Sequence, residues 1–279
     1  MAKIAVITHD YDCFMQRRFG VLLRRRFLLQ DLLRELRNNG HRVEISVGTD
    51  RRVEADVGIL HIDCSVIPTP YLDLANSYDV TVNGSANDIT KRTVGGAGLK
   101  PDSDWDGPVI VKSNFNSGGR GEHYHNREAL RRGHAKPHPS VDGMVSYNLY
   151  DTLSGVPEDA WADGSRVVER LIPEPDPQGY AMRTWIFFGD RERCTRYVGP
   201  NPIIKGADII ARSPAPVPDE LRAERERLGF DYGKFDFVVH DGKGVLLDAN
   251  RTPGSTRNLG KALRAANIEL IKGFDALIR

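Results

Sequence analysis

Two hydrophobic periods alternate along the first part of the chain. Residues 3–7 (KIAVI) are an almost unbroken apolar run and predict a buried strand. Leu22, Leu23, Leu29, Leu32, Leu33 and Leu36 then recur at helical spacing, which predicts a helix over 21–36 stopped by Asn38-Asn39-Gly40. Runs with strand character follow at HRVEISV, VGILHID and DVTVN, with Pro68 and Pro70 opening a short helix before the last. Strand–helix–strand alternation predicts a small parallel αβ unit over roughly the first 85 residues.

The later pattern is mostly strands. Asn87 or Asp88 is placed to cap a short helix carrying Lys91 and Arg92. The run PVIV delivers Lys112, and Ser117-Gly118-Gly119-Arg120-Gly121 follows as a flexible loop. SRVVERLIPE reads as a strand ended by Pro173, Pro175 and Pro177, which forbid continuous pairing. YAMRTWIFFGD and ERCTRYV read as a hairpin with Arg183 mid-strand, and PDELRAERERLG as an amphipathic helix. Residues 255–279 predict a closing helix with Leu259, Leu263, Ile268, Leu270 and Ile271 toward the core. Its start, just after Thr252-Pro253-Gly254, is positioned to accept an anion.

FDFVVHDGKGVLLDANRTPG (235–254) is the stretch richest in candidate chemistry. Two β-type runs flank a turn-rich HDGKG, the pattern of a hairpin. Asp248 and Asn250 are two apart and share a face. A hairpin pivoting on Gly242 sets Asp236 opposite Asp248, about 5 Å away, whereas a strict two-residue Asp-Gly loop sets it opposite Leu247. Two facing carboxylates repel and ask for a cation, and hard oxygen donors suit Mg²⁺ with a phosphate partner. By itself the stretch fits equally a surface hairpin with three incidental polar residues.

Composition narrows the classes. The 279 residues suffice for one large or several small domains, and 40% hydrophobic with 28% charged residues is ordinary for a globular chain. A net charge of +1 implies no general attraction to nucleic acid or membranes. Cys13, Cys64 and Cys194 form neither a metal spacing nor a disulfide framework, which fits a cytoplasmic setting. No run is long enough to span a bilayer, and MAKIAVITHDYD lacks the h-region and cleavage site of a signal peptide. The basic cluster Arg17, Arg18, Arg24, Arg25 and Arg26 reads as a solvated helix face. His123, His125, His134 and His138 lack zinc spacing and read as solvated loop histidines. No GxGxxG follows the first strand and no Walker A loop occurs; SGGRG alone fits a phosphate-wrapping loop or a plain turn.

Taken in order, the pieces resemble the ATP-grasp superfamily of ATP-dependent carboxylate–amine ligases, and most closely its uncharacterised ATP-grasp-like members. Asp88 and Lys91 come first, then Lys112 with SGGRG, VVERLI, YAMRTWIF, and FDFVV with LLDANRTPG. The resemblance implies an α/β (α+β) architecture, an ATP-grasp fold preceded by a small parallel αβ domain. It divides the chain into an N-terminal domain (1–84), a lid subdomain (85–170) and a C-terminal metal and nucleotide subdomain (171–279). Carried over by position, Lys91 and Lys112 contact ATP phosphates under a lid formed by Ser117, Gly118, Gly119, Arg120 and Gly121. Glu169, Arg170 and Leu171 form the hinge whose backbone meets adenine, with Leu171 and Ile172 packed on it. Asp236, Asp248 and Asn250 hold one or two Mg²⁺, and Arg183 sits on the transferred phosphoryl group. Lys205, Arg196 and Arg251 are further candidates for phosphate or an acidic substrate.

The implied reaction activates a carboxylate as an acyl phosphate, with ADP formed, for attack by an amine or similar nucleophile. Partners are ATP and small molecules, with no membrane or nucleic acid, and a homo-oligomer is left open. A small-molecule kinase on the same scaffold, and a non-catalytic nucleotide-binding protein, are the competing readings. The chain departs from the family pattern in three places. Asp248 stands where many members carry Glu, Lys91 and Lys112 are close in sequence, and Ala181-Met182 precede Arg183 where related ligases often have an acidic residue.

Overall fold

The computed structural model describes residues 1–14, 17–18, 21–22, 27–141, 143–255 and 260–278. The basic cluster at Arg17 to Arg26 has its side chains outside this set, as does Leu259. Among the described residues, three sheets of three or more strands succeed one another along the chain, besides a two-stranded ladder near its start. The first is parallel, ordered β2-β1-β3-β4, with β1 at Lys3–Thr8, β2 at Arg42–Val47, β3 at Val57–Leu60 and β4 at Val80–Val82. The second places β5 (Val109–Ser113) between β6 (Tyr147–Tyr150) and β7 (Arg166–Arg170), antiparallel to both. The third is antiparallel and ordered β11-β10-β9-β12-β13, with β8 (Glu174–Asp176) beside β9. Its other strands are β9 (Gly179–Phe188), β10 (Arg191–Gly199), β11 (Ala211–Pro214), β12 (Tyr232–His240) and β13 (Lys243–Asn250). Among the described residues no helix is long and apolar enough to cross a membrane.

The first helix, α1, runs Leu28–Asn38 rather than from residue 21, because Val21–Leu22 pairs with Arg17–Arg18 as a short ladder. Its start is fixed from the far end of the chain. The Leu28 amide donates to the Pro253 carbonyl at 2.8 Å, and Phe27 bridges Gly254. Its apolar face packs in one core with Phe188, Tyr232, Leu270 and Phe274, so the first and last segments share an interior. Asn83 strengthens this junction. Its side chain accepts from the Asp231 and Tyr232 amides at 3.0 and 2.9 Å and donates to the Tyr232 carbonyl.

Short α2 (Thr69–Ala75) follows β3, and α3 (Lys91–Val94) is the one-turn helix expected there, with Thr90 at its N-cap. Asp88 supports it by accepting from the Thr90 amide at 2.7 Å and the Thr93 hydroxyl at 2.8 Å. After the glycine-rich turn, α4 covers Arg120–Arg131. α5 (Asp219–Arg227) buries Leu221 against the third sheet.

The closing helix α6 is Lys261–Ile271, so it begins six residues after Ser255 rather than directly after Gly254. Its inward face also differs. Asn267 is buried and accepts from Arg193 at 2.8 Å, whereas Ile268 is exposed. A polar partner on β10 claims the inward position that hydrophobicity alone gave to Ile268.

One face of the third sheet carries a cluster of aromatic side chains, Trp185, Phe187, Phe235 and Phe237, all fully buried. Burying such a side chain stabilises by roughly 1.5–3 kcal/mol. A one-residue slip of β9 or β12 would send its rings to the opposite face, so together these rings hold the register with roughly 6–12 kcal/mol. That register decides which polar residues reach the cleft on the other face.

Candidate active site

Asp236 lies directly opposite Asp248 in the β12–β13 ladder. The route to this pairing is not the one-residue pivot. The turn is a two-residue Asp241-Gly242 loop, with His240 opposite Lys243 and both turn residues at positive φ, 49° and 76°. That loop alone would set Asp236 against Leu247. A β-bulge intervenes between Asp236 and Phe237 in the pairing, so Phe237 faces Leu246, Asp236 faces Asp248 and Leu247 is the extra residue. Consequently Leu247 and Asp248, though consecutive, both line the same cleft.

That cleft has a volume of about 300 Å³ and opens between the second and third sheets. Its polar wall is built from Lys91, Lys112, Glu169, Asp236 and Asp248, with Ser117 and Gly118 at its rim. Lys91 is buried and ion-paired to Asp248. Lys112 bonds Glu169 at 2.7 Å and the free Leu247 carbonyl at 3.1 Å. Asp236 accepts from the Thr184 hydroxyl at 2.7 Å and from Lys234 at 2.5 Å. Three carboxylates and three ammonium groups thus interleave within one site.

Their electrostatics follow. Burial raises the Asp248 carboxyl, but Lys91, Lys234 and Lys112 outweigh it and hold the group below its ordinary value. Burial lowers the Lys234 ammonium, and Asp236 and Asp248 more than reverse that. Glu169 behaves oppositely: its burial dominates, Lys112 only partly compensates, and the carboxyl is pushed up. One of its oxygens, Oε1, is buried without a hydrogen-bond partner.

The glycine loop is packed rather than loose. Ser117, Gly118 and Gly119 all have positive φ, and a Cβ on Gly118 would lie 2.1 Å from the Met144 carbonyl oxygen. A Cβ on Gly121 would lie 1.5 Å from the Asp63 carbonyl oxygen, so α4 can approach the first sheet only with glycine there. At Gly118 and Gly119, Val141, Met144 and Val145 pack too closely for a side chain.

At the expected hinge, the Arg170 amide donates to the Ala97 carbonyl at 2.8 Å and the Leu171 amide to the Pro108 carbonyl at 3.0 Å. Both amides are therefore already engaged, and Glu169 contributes its side chain to the cleft. Beyond Arg170 the wall is apolar: Leu171, Ile172, Met182 and Val238.

Several expected site residues are elsewhere. Thr184 pairs with Asp236 across β9–β12, and strand alternation puts Met182 and Thr184 on the cleft face. Arg183 is therefore on the opposite face, beside Phe237 and ion-paired to Glu174. Arg196, in register with Arg183, bonds Asp176 at 2.8 Å. Lys205 is exposed and does not line the cleft, although Ile203 and Ile204 do. Arg251 is fully buried, donating to the Ala86, Cys64 and Ser65 carbonyls at 2.7, 2.5 and 3.0 Å. Asn250 is buried too, and its Oδ1 accepts from the Thr252 amide at 2.8 Å, an Asx turn that diverts the oxygen from the cleft. Sequence reasoning missed Lys234 and Thr184. Lys234 was findable, since it is two residues before Asp236 on the same face.

Solved structures similar in fold match across nearly the whole chain. A RimK-domain ATP-grasp protein from Sphaerobacter thermophilus matches with a TM-score of 0.53 at 12% identity, covering 100% of both chains. A D-alanine–D-alanine ligase from Bacillus anthracis, solved with ATP, matches at 0.50 and 16%, covering 100% of this chain and 96% of its own. The chain has the ATP-grasp fold. A third ATP-grasp structure, the ligase PsnB with a minimal precursor, matches at 0.50 and 14%, covering 99% of this chain and 98% of its own. No family model matches the chain, and no curated protein sequence does so significantly. In ATP-grasp terms the cleft lies between the two antiparallel sheets.

Proposed function

We propose that the chain binds ATP with Mg²⁺ in this cleft and acts as an ATP-dependent ligase, activating a carboxylate for attack by an amine or similar nucleophile. The observation that carries the reading is the facing pair Asp236 and Asp248, with Lys91, Lys112 and the Ser117–Gly118 turn around the same space. The likeness in fold to a D-alanine–D-alanine ligase solved with ATP supports it.

The donor set suits magnesium: carboxylate oxygens only, opposed across one ladder. Asp236 and Asp248 would hold the ion, which when bound supplies charge neutralisation to the phosphates. In the free chain the lysines occupy the carboxylates. With nucleotide present, Lys91 and Lys112 would turn to phosphate oxygens while the aspartates serve the cation, and Glu169, which loses Lys112, is the carboxyl whose burial already favours its neutral form. Leu171, Ile172 and Met182 offer the adenine an apolar slot. Phosphoryl transfer to the carboxylate oxygen then breaks the bond to the leaving ADP, and the nucleophile displaces phosphate from the acyl carbon. The Ser117–Gly118 turn, at the same space, would shield that intermediate from water.

The test is ADP release from full-length protein against panels of carboxylates and amines, with products weighed by mass spectrometry. A ligase releases ADP only when both co-substrates are present. Release with a single acceptor and a phosphorylated product would make it a kinase. Nucleotide binding without any turnover would make it a binding protein.

A further inference from the structure

His125 and His138 are not solvated. They converge with His9 in a second cluster, one ring nitrogen from each lying within 4.8 Å of the others. His9 follows β1, His125 is on α4, and His138 is in the loop after α4. His9 and His125 are buried and stack with centroids 4.2 Å apart and planes 14° apart. His125 Nδ1 lies 2.9 Å from His138 Nε2.

The surroundings hold these rings. Asp12 Oδ2 lies 3.8 Å from His125 Nε2, and Asp12 is itself fixed by the Phe14 and Asp63 amides at 2.8 and 3.2 Å. A carboxylate facing the outer nitrogen turns the other nitrogen of the ring, Nδ1, inward with its lone pair. Asn126, next to His125, clamps the His138 backbone, accepting from its amide at 3.0 Å and donating to its carbonyl at 3.1 Å. The Tyr11 amide approaches His9 Nδ1 at 3.2 Å. Three imidazoles drawn from three separate segments are thus brought together with a single ring-to-ring hydrogen bond between them. Stacking of His9 on His125 and on Tyr71 packs the rings together, and imidazole nitrogens in this number suit a first-row transition cation.

We propose that His9, His125 and His138 bind one zinc-class divalent cation, separate from the ATP cleft. Three nitrogen ligands leave a fourth position for water. The ion would tie the end of β1 to α4, whose N-terminal turn is the glycine loop. Occupancy therefore sets how that loop is held over the cleft. The inference does not depend on the ligase reading.

The test uses full-length protein stripped by a chelator and titrated with Zn²⁺ alone, followed by calorimetry and elemental analysis. One zinc per chain is expected. His138→Gln, at a half-buried position, should weaken binding by at least about tenfold, while exposed His123→Ala and the cleft variant Asp248→Asn should leave it unchanged. Absence of stoichiometric uptake, uptake unaffected by His138→Gln, or uptake lost only in Asp248→Asn would each overturn the proposal. Should His138→Gln fail to fold, Co²⁺ bound to the wild-type chain decides. Tetrahedral, nitrogen-rich absorption bands support the site, and their absence overturns it.

Discussion

Lys112 donates through its ammonium to the backbone carbonyl of Leu247 at 3.1 Å. The carbonyl is available because Leu247 is the extra residue of the bulge in β13. Removing Leu247 regularises the ladder. Leu246 still faces Phe237, Asp248 still faces Asp236, and strand alternation remains intact on both sides. The deletion should therefore fold with its carboxylate pair aligned but without the acceptor that positions Lys112. Calorimetry should show ATP affinity falling about as far as in Lys112→Ala. Unchanged affinity would mean that the bulge does not serve the lysine.

Lys112→Ala should weaken ATP binding by about tenfold or more, whereas exposed Lys100→Ala should change it little. The Lys112 variant also strands buried Glu169, and breaking such a pair costs about 3–5 kcal/mol. Lys112→Ala combined with Glu169→Gln separates the two effects. Urea unfolding should show stability largely restored, while ATP binding stays weak. Recovery of both would reduce Lys112 to a structural counter-ion.

Arg183→Gln tests the face assignment. The resemblance puts this arginine on the transferred phosphoryl group, but the aromatic cluster locks it on the far side of β9. Glu174 keeps the Val239 amide at 2.7 Å and Arg196 at 3.6 Å after the change. Stability should drop by about 1–3 kcal/mol, and ADP release at saturating substrates should stay within about threefold. A loss of a thousandfold or more would require β9 to present Arg183 to the cleft.

What the sequence reveals here depends on how local the information is. The parallel first sheet and the hairpin were legible, because apolar periods and an Asp-Gly turn act over a few neighbouring residues. The Asp236–Asp248 pairing was reached through a wrong turn and an unseen bulge whose shifts cancel. Nothing local marks Leu247 as the extra residue. Arg183 misled because its face is set by Thr184 standing opposite Asp236, a pairing between strands distant in sequence. Asn250 was lost to an Asx turn two residues on, which competed for its oxygen. The histidines of the second cluster come from the residue after β1, from α4 and from the loop that follows it, and only the tertiary fold brings segments so distant in sequence together.

Glu169 sets a pH signature on the site. Its carboxyl is raised above the ordinary 4.5 by burial, despite Lys112. A group raised in the folded state adds stability that is complete below its unfolded value and disappears as pH climbs through the folded one. Wild-type protein should therefore lose stability relative to Glu169→Gln as pH rises from 4.5 through the raised value. The lost ion pair with Lys112 adds an offset to the variant, but the sign of the slope between the two proteins comes from Glu169 alone. Urea midpoints of both proteins across this range should diverge toward higher pH in favour of the variant and then run parallel. A gap that narrows as pH rises would mean that Lys112 outweighs burial and that Glu169 ionises more readily in the fold than outside it.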